Sequence, residues 1–282
     1  MMEWLEKLNE SMEYIESHLT SQLDYDRMAQ IACCSRYHYQ RMFTYLAGTT
    51  LAEYIRRRRM SLAAVDLQNG TETVLEIGMK YGYSSPTAFN RAFQSVHGAA
   101  PSAVREQGVA VKAYPPLVFS ISIQGGQPLH YRIESHDSFR VLGVSVPLSQ
   151  DLEENFRTVP GLWGKAAADG TVQRLARLMD TPPMGVLGVS VCGSEEQWRY
   201  YLAVSSTKPA GAWESYTVPA LDWAIFTGAG LDGFQKLERR IVTEWLPTSG
   251  YEYADGPDLE VYLEPDPKNA KYEIWIPVVR KQ

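Results

Sequence analysis

The chain has 282 residues, which at roughly 100–200 residues per domain suggests two domains. Its hydrophobic fraction of 45% and charged fraction of 21% are typical of a water-soluble globular protein, and no apolar run approaches the roughly 18 residues that span a bilayer. The three cysteines, Cys33, Cys34 and Cys192, exclude a disulfide framework and lack zinc-site spacing. We therefore expect a cytoplasmic protein with no membrane partner, no metal and no cofactor.

The net charge of −6 conceals an uneven distribution along the chain. Residues 27–105 carry ten basic and four acidic side chains, a balance of +6. Residues 106–282 carry 22 acidic and 16 basic side chains, a balance of −6. A polyanion such as nucleic acid is therefore an expected partner of the first segment and an unfavourable partner of the second.

Two copies of one helical hairpin are predicted in the first hundred residues. Short helices are predicted at 24–32 and 74–81, each followed by a tight turn and a second helix. The copies match at an offset of 50 residues, with identical pairs at Ser35/Ser85, Arg41/Arg91, Phe43/Phe93 and Gly48/Gly98. This order is the helix-turn-helix arrangement, and a predicted helix from about residue 51 to residue 67 joins the copies.

The second helix of each copy has an apolar face and a polar outer face. Apolar residues recur at helical spacing at Tyr39, Met42, Phe43 and Leu46, and again at Phe89, Ala92, Phe93 and Val96. The outer faces supply the residues that we expect to contact DNA: Arg36, Tyr37, Gln40, Arg41 and Thr44 in the first copy, and Ser85, Thr87, Asn90 and Arg91 in the second.

These side chains are suited to reading bases in a major groove. Arginine bonds guanine through two donors, and glutamine or asparagine does the same for adenine. Two linked reading helices would enter groove segments about 34 Å apart, so we expect a monomer to bind double-stranded promoter DNA at a long asymmetric site. The alternative is an ordinary bundle of amphipathic helices, which does not explain arginine and a carboxamide at equivalent positions of both outer faces.

The rest of the chain is predicted to form an α+β domain. We expect domains at 1–107 and 117–282, joined by a linker at 108–116 where Pro115 and Pro116 break the chain. Strands are predicted at 117–123, 129–134, 139–146, 185–191, 198–205, 222–227, 259–264 and 272–279, with helices at 152–168 and 231–246. The order β-α-β-β occurs twice, which indicates a duplicated sheet domain with approximate twofold symmetry.

Alternation within the last two strands predicts a ligand site. Leu259, Val261 and Leu263 form one face of the first strand, and Glu273 and Trp275 share a face of the second. We expect the carboxylates to lie beside aromatic rings on the sheet face away from the helices. The predicted ligand-binding set is Trp163, Trp223, Glu260, Tyr262, Glu273 and Trp275, which suits a bulky organic cation. The alternative places the tryptophans in the core and the glutamates on an exposed face.

The first segment resembles the DNA-binding domain of the AraC/XylS family of transcription regulators. The resemblance covers residues 8–107 and rests on the stretches GYSS at 82–85, FNRAF at 89–93 and GAAP at 98–101. The helix from Ser35 is similar to the first reading helix of monomeric, Rob-like members. By this resemblance Tyr37, Gln40 and Arg41 contact bases, as do residues of the second helix. The chain departs from the family pattern at Cys33, where glycine is usual.

Residues 112–282 resemble the GyrI-like, or AraC effector-binding, domain. The stretches that carry this resemblance include EWLPTSGYE at 244–252 and YEIWIPV at 272–278. The resemblance implies a cleft that binds hydrophobic, often cationic compounds at a strand glutamate, which by motif is Glu273. The whole chain is thus expected to be an all-α double helix-turn-helix domain followed by a GyrI-like α+β domain with a duplicated βαββ unit.

The leading functional hypothesis is a ligand-responsive transcription regulator rather than an enzyme. The first domain would bind promoter DNA, with RNA polymerase as a further partner, and the second would sense a small-molecule effector. A second hypothesis makes the GyrI-like domain a hydrolase in which Glu273 is a general base with a pKa raised by burial. A third makes it a protein-interaction module without a small ligand.

Overall fold

The computed structural model describes residues 2–105, 109–120, 128–149, 152–192, 197–230, 233–264 and 271–281. The chain forms two compact units. A helical unit comprises residues 2–32 and 47–121, and a sheet unit comprises residues 33–46 and 122–282. The predicted first reading helix therefore belongs to the sheet unit.

Seven helices are described in the first 105 residues: α1 (Met2–Ser17), α2 (Tyr25–Ile31), α3 (Arg36–Ala47), α4 (Leu51–Asn69), α5 (Val74–Lys80), α6 (Pro86–His97) and α7 (Pro101–Val104). All except α3 belong to the helical unit. Its core includes Met60 of α4, Ile77 of α5, and Phe89 and Phe93 of α6, all at most 1% exposed. The predicted apolar face of α6 is thus confirmed, because its aromatic rings pack on the two preceding helices.

The helix ends follow the capping residues in the sequence. Asp24 accepts hydrogen bonds from the amides of residues 26 and 27, and Ser85 accepts one from the amide of Ala88, with Pro86 in the first turn. Thr73 and Glu76 form a reciprocal capping box at the start of α5. These side chains satisfy backbone donors that have no partner within the helix.

The turn after α2 uses a left-handed backbone without glycine. Cys33 has φ 54°, and it is the non-glycine residue with positive φ among those described. Gly82, with φ 85°, lies two residues after the end of α5, just as Cys33 lies two residues after the end of α2. A left-handed backbone costs a residue with a Cβ roughly 1–2 kcal/mol, so the first turn is less favourable than the second. Gly48, which follows α3, is also left-handed at φ 66°.

The sheet unit contains nine strands among its described residues: β1 (Tyr131–His136), β2 (Phe139–Pro147), β3 (Val186–Val191), β4 (Arg199–Ser205), β5 (Glu214–Val218), β6 (Leu221–Ala229), β7 (Tyr251–Tyr253), β8 (Asp258–Tyr262) and β9 (Lys271–Arg280). Helices α8 (Leu152–Ala168) and α9 (Thr171–Ala176) precede β3. Helix α10 (Phe234–Arg240) follows β6 and continues as a π-helical segment, Ile241–Trp245.

The sheet order confirms the predicted duplicated α+β domain. All the described strand pairs are antiparallel, in the order β1-β6-β9-β8-β3-β4-β2-β5, with β7 paired to β9. The half built from β2, α8, β3 and β4 has the same connectivity as the half built from β6, α10, β8 and β9. The two halves meet at the β3–β8 pair, where Gly188 lies opposite Glu260.

Four elements differ from the prediction. The strand expected at 117–123 is wrong for residues 117–120, and residues 121–123 lie outside the described residues. The amide of Leu117 donates to the Tyr54 hydroxyl, and Asn9 pairs with both the amide and the carbonyl of Phe119. This segment therefore finds its hydrogen bonds on helix side chains instead of in a sheet. Strands β5 and β7, and helix α9, were not predicted.

The predicted arrangement of the two strand glutamates is also wrong. In an antiparallel pair, directly opposite residues lie on the same face. Glu260 lies opposite Ile274, whereas Glu273 lies opposite Val261, so the two carboxylates lie on opposite faces. Ile274 packs with Ile241 of the π-helical segment, which places Glu260 on the helix-covered face instead of the face away from the helices.

Candidate functional site

The outer face of α6 is accessible. Ser85, Thr87 and Arg91 are exposed and Asn90 is half-buried, while Phe89 and Phe93 on the opposite side of the helix are buried. The Ser85 hydroxyl caps the helix, which fixes the direction in which the helix begins. The structure therefore gives the predicted reading face of the second hairpin the polarity and exposure that contact with a duplex requires.

The outer face of α3 is covered. Tyr37 and Gln40 are 8% and 5% exposed, and the Arg41 side chain is 19% exposed. Arg36 and Thr44 are half-buried, and the Thr44 hydroxyl donates to the Gln40 carbonyl. The Gln40 side-chain nitrogen is buried and has no hydrogen-bond partner among the described residues. Of the five predicted DNA contacts of the first hairpin, Tyr37, Gln40 and Arg41 are thus largely withdrawn from solvent, and Arg36 and Thr44 are half-buried.

Arg41 is held by carboxylates and aromatic rings of the sheet unit. Its Nη1 donates to Asp258 Oδ2 at 2.9 Å and to the Tyr37 hydroxyl at 3.1 Å. Its Nη2 forms an ion pair with Glu238 of α10. The guanidinium also lies 6.0 Å from the ring centre of Tyr45, whose hydroxyl donates to the same Glu238. These contacts satisfy the charge of an arginine that has little exposure to water.

His38 completes the contact between α3 and β8. Its Nε2 lies 3.1 Å from Asp258 Oδ1, and its ring stacks on Tyr253 at 3.8 Å between centres. Burial alone raises the pKa of Asp258, but His38 and Arg41 together hold that pKa below its ordinary value. Asp258 is therefore a buried, ionised carboxylate shared by two side chains of one helix.

A small cavity lies between α3, α10 and strands β7 to β9. Arg41 and Tyr45 line it on one side, and Glu238, Asp258 and Glu260 supply carboxylates. Its free volume is about 20 Å³, which is about the space of one water molecule. We call this cavity, with its three carboxylates, the acidic pocket. With Arg41 in place, it has no room for a molecule larger than water.

Glu260 anchors a second network beside the acidic pocket. It accepts hydrogen bonds from the Tyr200 and Tyr262 hydroxyls at 3.0 Å each, and Trp163 Nε1 donates to the Tyr200 oxygen at 2.8 Å. Trp163 meets the Tyr262 ring edge-on at 4.9 Å. Desolvation is the largest influence on Glu260 and raises its pKa. The predicted residues Trp163, Glu260 and Tyr262 thus lie together.

The other three predicted ligand residues form a separate group on the opposite face. Trp275 Nε1 donates to Glu273 Oε2 at 2.8 Å, and Arg132 pairs with the same carboxylate at 2.7 Å. Trp223 meets the Trp275 ring at 5.8 Å and packs in a core cluster with Leu259. Since Glu273 already has two donors, its environment is that of a satisfied ion pair.

Sequence reasoning missed three members of the acidic pocket. Glu238 and Asp258 were not predicted, and Arg41 was predicted only as a DNA contact. Asp258 could have been predicted from the sequence, because it lies two positions before Glu260 in the same strand and therefore shares its face. The contact of Arg41 with that face joins residues 217 positions apart and had no local signal.

Comparisons with known proteins define the class of the chain. Residues 28–107 match the family described as helix-turn-helix domain, and residues 132–278 match the family described as integron-associated effector binding protein. The protein is an AraC-family transcription regulator with an effector-binding, GyrI-like domain, as the sequence predicted. The chain belongs to the integron-associated effector-binding family, whose match covers more than half of its length.

Curated relatives agree with this assignment. Transcriptional regulator Rob of Salmonella typhimurium is 27% identical over 289 residues, covering 95% of this chain and 96% of that protein. The HTH-type transcriptional activator AarP of Providencia stuartii is 38% identical over 98 residues, covering 35% of this chain and 73% of that protein. A solved structure of a protein bound to tetraphenylphosphonium is 17% identical, covers 54% of this chain and 94% of that chain, and has a TM-score of 0.49.

Proposed function

We propose that α3 and α6 read the bases of one promoter duplex. Arg36, Tyr37, Gln40, Arg41 and Thr44 act from α3, and Ser85, Thr87, Asn90 and Arg91 act from α6. The observation that carries this proposal is α6, which presents Thr87 and Arg91 to solvent on a helix fixed by buried aromatic rings. The match of residues 28–107 to a helix-turn-helix family supports it.

We further propose a division of labour along the chain. Residues 1–107 bind DNA as a monomer in the cytoplasm, residues 108–116 are the linker, and residues 117–282 sense the effector. RNA polymerase is the expected protein partner of the DNA-bound form. The basic balance of +6 over residues 27–105 supports the assignment of DNA to the first part.

The acidic pocket is the proposed effector site, and a hydrophobic organic cation is the proposed class of effector. Glu238, Asp258 and Glu260 place carboxylates beside Tyr45 and Tyr253, and aromatic rings with poorly solvated carboxylates favour cations. Trp163 and Tyr262 extend this site. Glu273 is paired with Arg132 on the other face of the sheet, which supports a sensor over a hydrolase that uses Glu273 as its base.

Binding to a selected duplex tests the DNA contacts. Duplexes are first selected from a random library on the full chain. Arg91→Ala should then weaken binding by about 1–3 kcal/mol and relax base preference at one position, because a bidentate contact to guanine is lost. Arg280→Ala, which removes an exposed charge from the end of β9, is the control and should leave affinity and preference unchanged. Unchanged base preference in Arg91→Ala contradicts the assignment of α6.

A further inference from the structure

We propose that Arg41 is an internal ligand of the acidic pocket, and that an organic cation entering this pocket displaces Arg41 and frees α3 to bind DNA. This inference rests on the proposed role of α3 in base reading. It adds a mechanism by which effector and promoter binding are coupled, through one side chain that serves both sites.

The charge of the acidic pocket favours a cation whether or not Arg41 is present. Arg41 contacts Asp258 and Glu238 directly, and Glu260 lines the same cavity. If Arg41 left without replacement, three carboxylates would share a poorly solvated space, which is strongly unfavourable. A guanidinium is itself a planar organic cation that stacks on aromatic rings. The group that now fills the pocket therefore has the chemistry of the proposed effector class.

The volume of the cavity makes the two occupants mutually exclusive. The free space beside Arg41 is about 20 Å³, whereas pockets for drug-sized ligands measure about 300–1,000 Å³. A ring-bearing cation cannot enter while the Arg41 side chain occupies its place between Glu238 and Asp258. Binding of such a cation therefore requires Arg41 to leave, and the ion pairs of Arg41 with Glu238 and Asp258 are lost.

The docked position of α3 hides the residues that would read DNA. Tyr37 packs edge-on against Trp198 at 5.6 Å in a cluster with Cys192, and Gln40 is 5% exposed. The buried Gln40 nitrogen without a partner among the described residues disfavours this docked state, since an unpaired buried donor is costly. The docked helix is thus inactive for DNA, and its polar contacts with Asp258 and Glu238 are the ones that an entering cation would replace.

Both ends of α3 have backbone conformations suited to a hinge. The segment that joins the sheet unit is residues 33–46, and the left-handed residues Cys33 and Gly48 lie at its two ends. A hinge needs a few residues at element ends that absorb large changes in backbone angles. A Cβ built at Gly48 would meet no atom within 4 Å, so its surroundings leave room for such a change.

The coupling predicted by this arrangement is positive and reciprocal. Effector and DNA both bind the state in which Arg41 has left the pocket, so each raises the affinity of the chain for the other by the same factor. Couplings of this kind are usually about 5–150-fold. An effector that bound with Arg41 still in place would produce no coupling.

Variants that weaken the docked state without touching a reading residue test the inference. Glu238→Gln and Asp258→Asn, each in the full chain, should raise affinity for the selected duplex at least about 5-fold without any effector. The matched control is Glu244→Gln in the same helical segment, because Glu244 pairs with Arg240 near the surface and should leave affinity unchanged. Wild-type affinity in both folded test variants overturns the inference.

A small cation that carries the same guanidinium group as Arg41 provides a second test of the inference. Benzylguanidinium should raise duplex affinity of the wild-type chain, and the neutral benzylurea should not. Arg41→Ala should bind benzylguanidinium more tightly than wild type in calorimetry, because the internal competitor is gone. Arg239→Ala removes an exposed charge beside Glu238 and should bind it as wild type does. Equal affinity of wild type and Arg41→Ala contradicts the displacement of Arg41.

Release of α3 can also be followed without DNA. Cys192 is buried in the cluster that includes Tyr37, and burial raises the pKa of its thiol, so alkylation is slow in the docked state. Benzylguanidinium should accelerate alkylation of Cys192, measured by peptide mass spectrometry, and benzylurea should not. If no duplex binds but this acceleration occurs, the DNA proposal fails and displacement of α3 stands. If alkylation is unchanged, displacement of α3 fails whatever the DNA result.

Discussion

Gly188→Ala should destabilise the sheet unit by about 2–4 kcal/mol, because a methyl group at this position collides with the Tyr200–Glu260 contact. A Cβ on Gly188 would lie 2.8 Å from Glu260 Oε2 and 2.9 Å from Cζ of Tyr200. Overpacking costs about 1–3 kcal/mol, and loss of a hydrogen bond to a charged group costs about 1.5–3 kcal/mol. The two costs are not fully additive, because a movement of Tyr200 that breaks its hydrogen bond to Glu260 also relieves the collision.

Urea denaturation followed by tryptophan fluorescence measures this change, because six of the seven tryptophans lie in residues 122–282. Gly161→Ala in α8 is the matched control. No atom lies within 4 Å of a Cβ built there, and alanine in a helix is favoured over glycine by roughly 0.5–1 kcal/mol, so this variant should be slightly more stable. The two substitutions are chemically identical and should change the free energy of unfolding in opposite directions.

A double-mutant cycle then isolates the Tyr200 contact. In a Tyr200→Phe background the colliding hydroxyl is absent, so Gly188→Ala should cost less than it does in the wild type. Equal costs in both backgrounds, or a stability of Gly188→Ala within about 0.5 kcal/mol of wild type, would show that the tyrosine hydroxyl does not lie over this glycine.

Two further predictions concern pH and the first turn. Desolvation raises the pKa of Glu260, which faces Tyr200, Tyr262, Arg41 and Asp258. Affinity for benzylguanidinium should therefore be highest above this raised pKa, where Glu260 is ionised, and should fall as the pH drops through it. The pKa of Asp258 is lowered, so that group stays ionised while Glu260 takes up its proton. Calorimetry between pH 5 and pH 8 measures this fall, and Glu260→Gln should abolish the pH dependence. Cys33→Gly should stabilise the chain by about 0.5–1 kcal/mol in urea denaturation, because relief of the left-handed strain exceeds the added backbone entropy, whereas Cys34→Gly should destabilise it.

The elements that were predictable depend on local physics. Capping by Ser85 and the buried Phe89 and Phe93 follow from helical spacing and turn chemistry within twelve residues, and the structure confirms them. Alternation likewise assigned Leu259 and Val261 to one face of their strand. In each case the residues that decide the structure are close together in the sequence, so one periodic pattern is sufficient.

The elements that were not predictable depend on pairing between distant segments. Alternation shows which residues share a face within one strand, but the register between strands decides whether Glu260 and Glu273 share one. The prediction placed both glutamates on one face, whereas the observed register places them on opposite faces. Helical spacing also correctly predicted that Phe43 lies on the buried face of α3. It cannot predict which segment of the chain packs against the polar face of a helix. The carboxylates that contact Arg41 come from chain about two hundred residues away.

The position of β9 in the sheet sets the order in which the two units can fold during synthesis. Strand β9 lies between β6 and β8, and β1 pairs with a strand about ninety residues later, so the sheet cannot close before β9 has left the ribosome. Helices α4, α5 and α6 pack on one another from a stretch of fewer than fifty residues and can fold long before that point. A nascent chain can therefore complete the α5–α6 hairpin first, and it acquires the sheet surface that contacts α3 last.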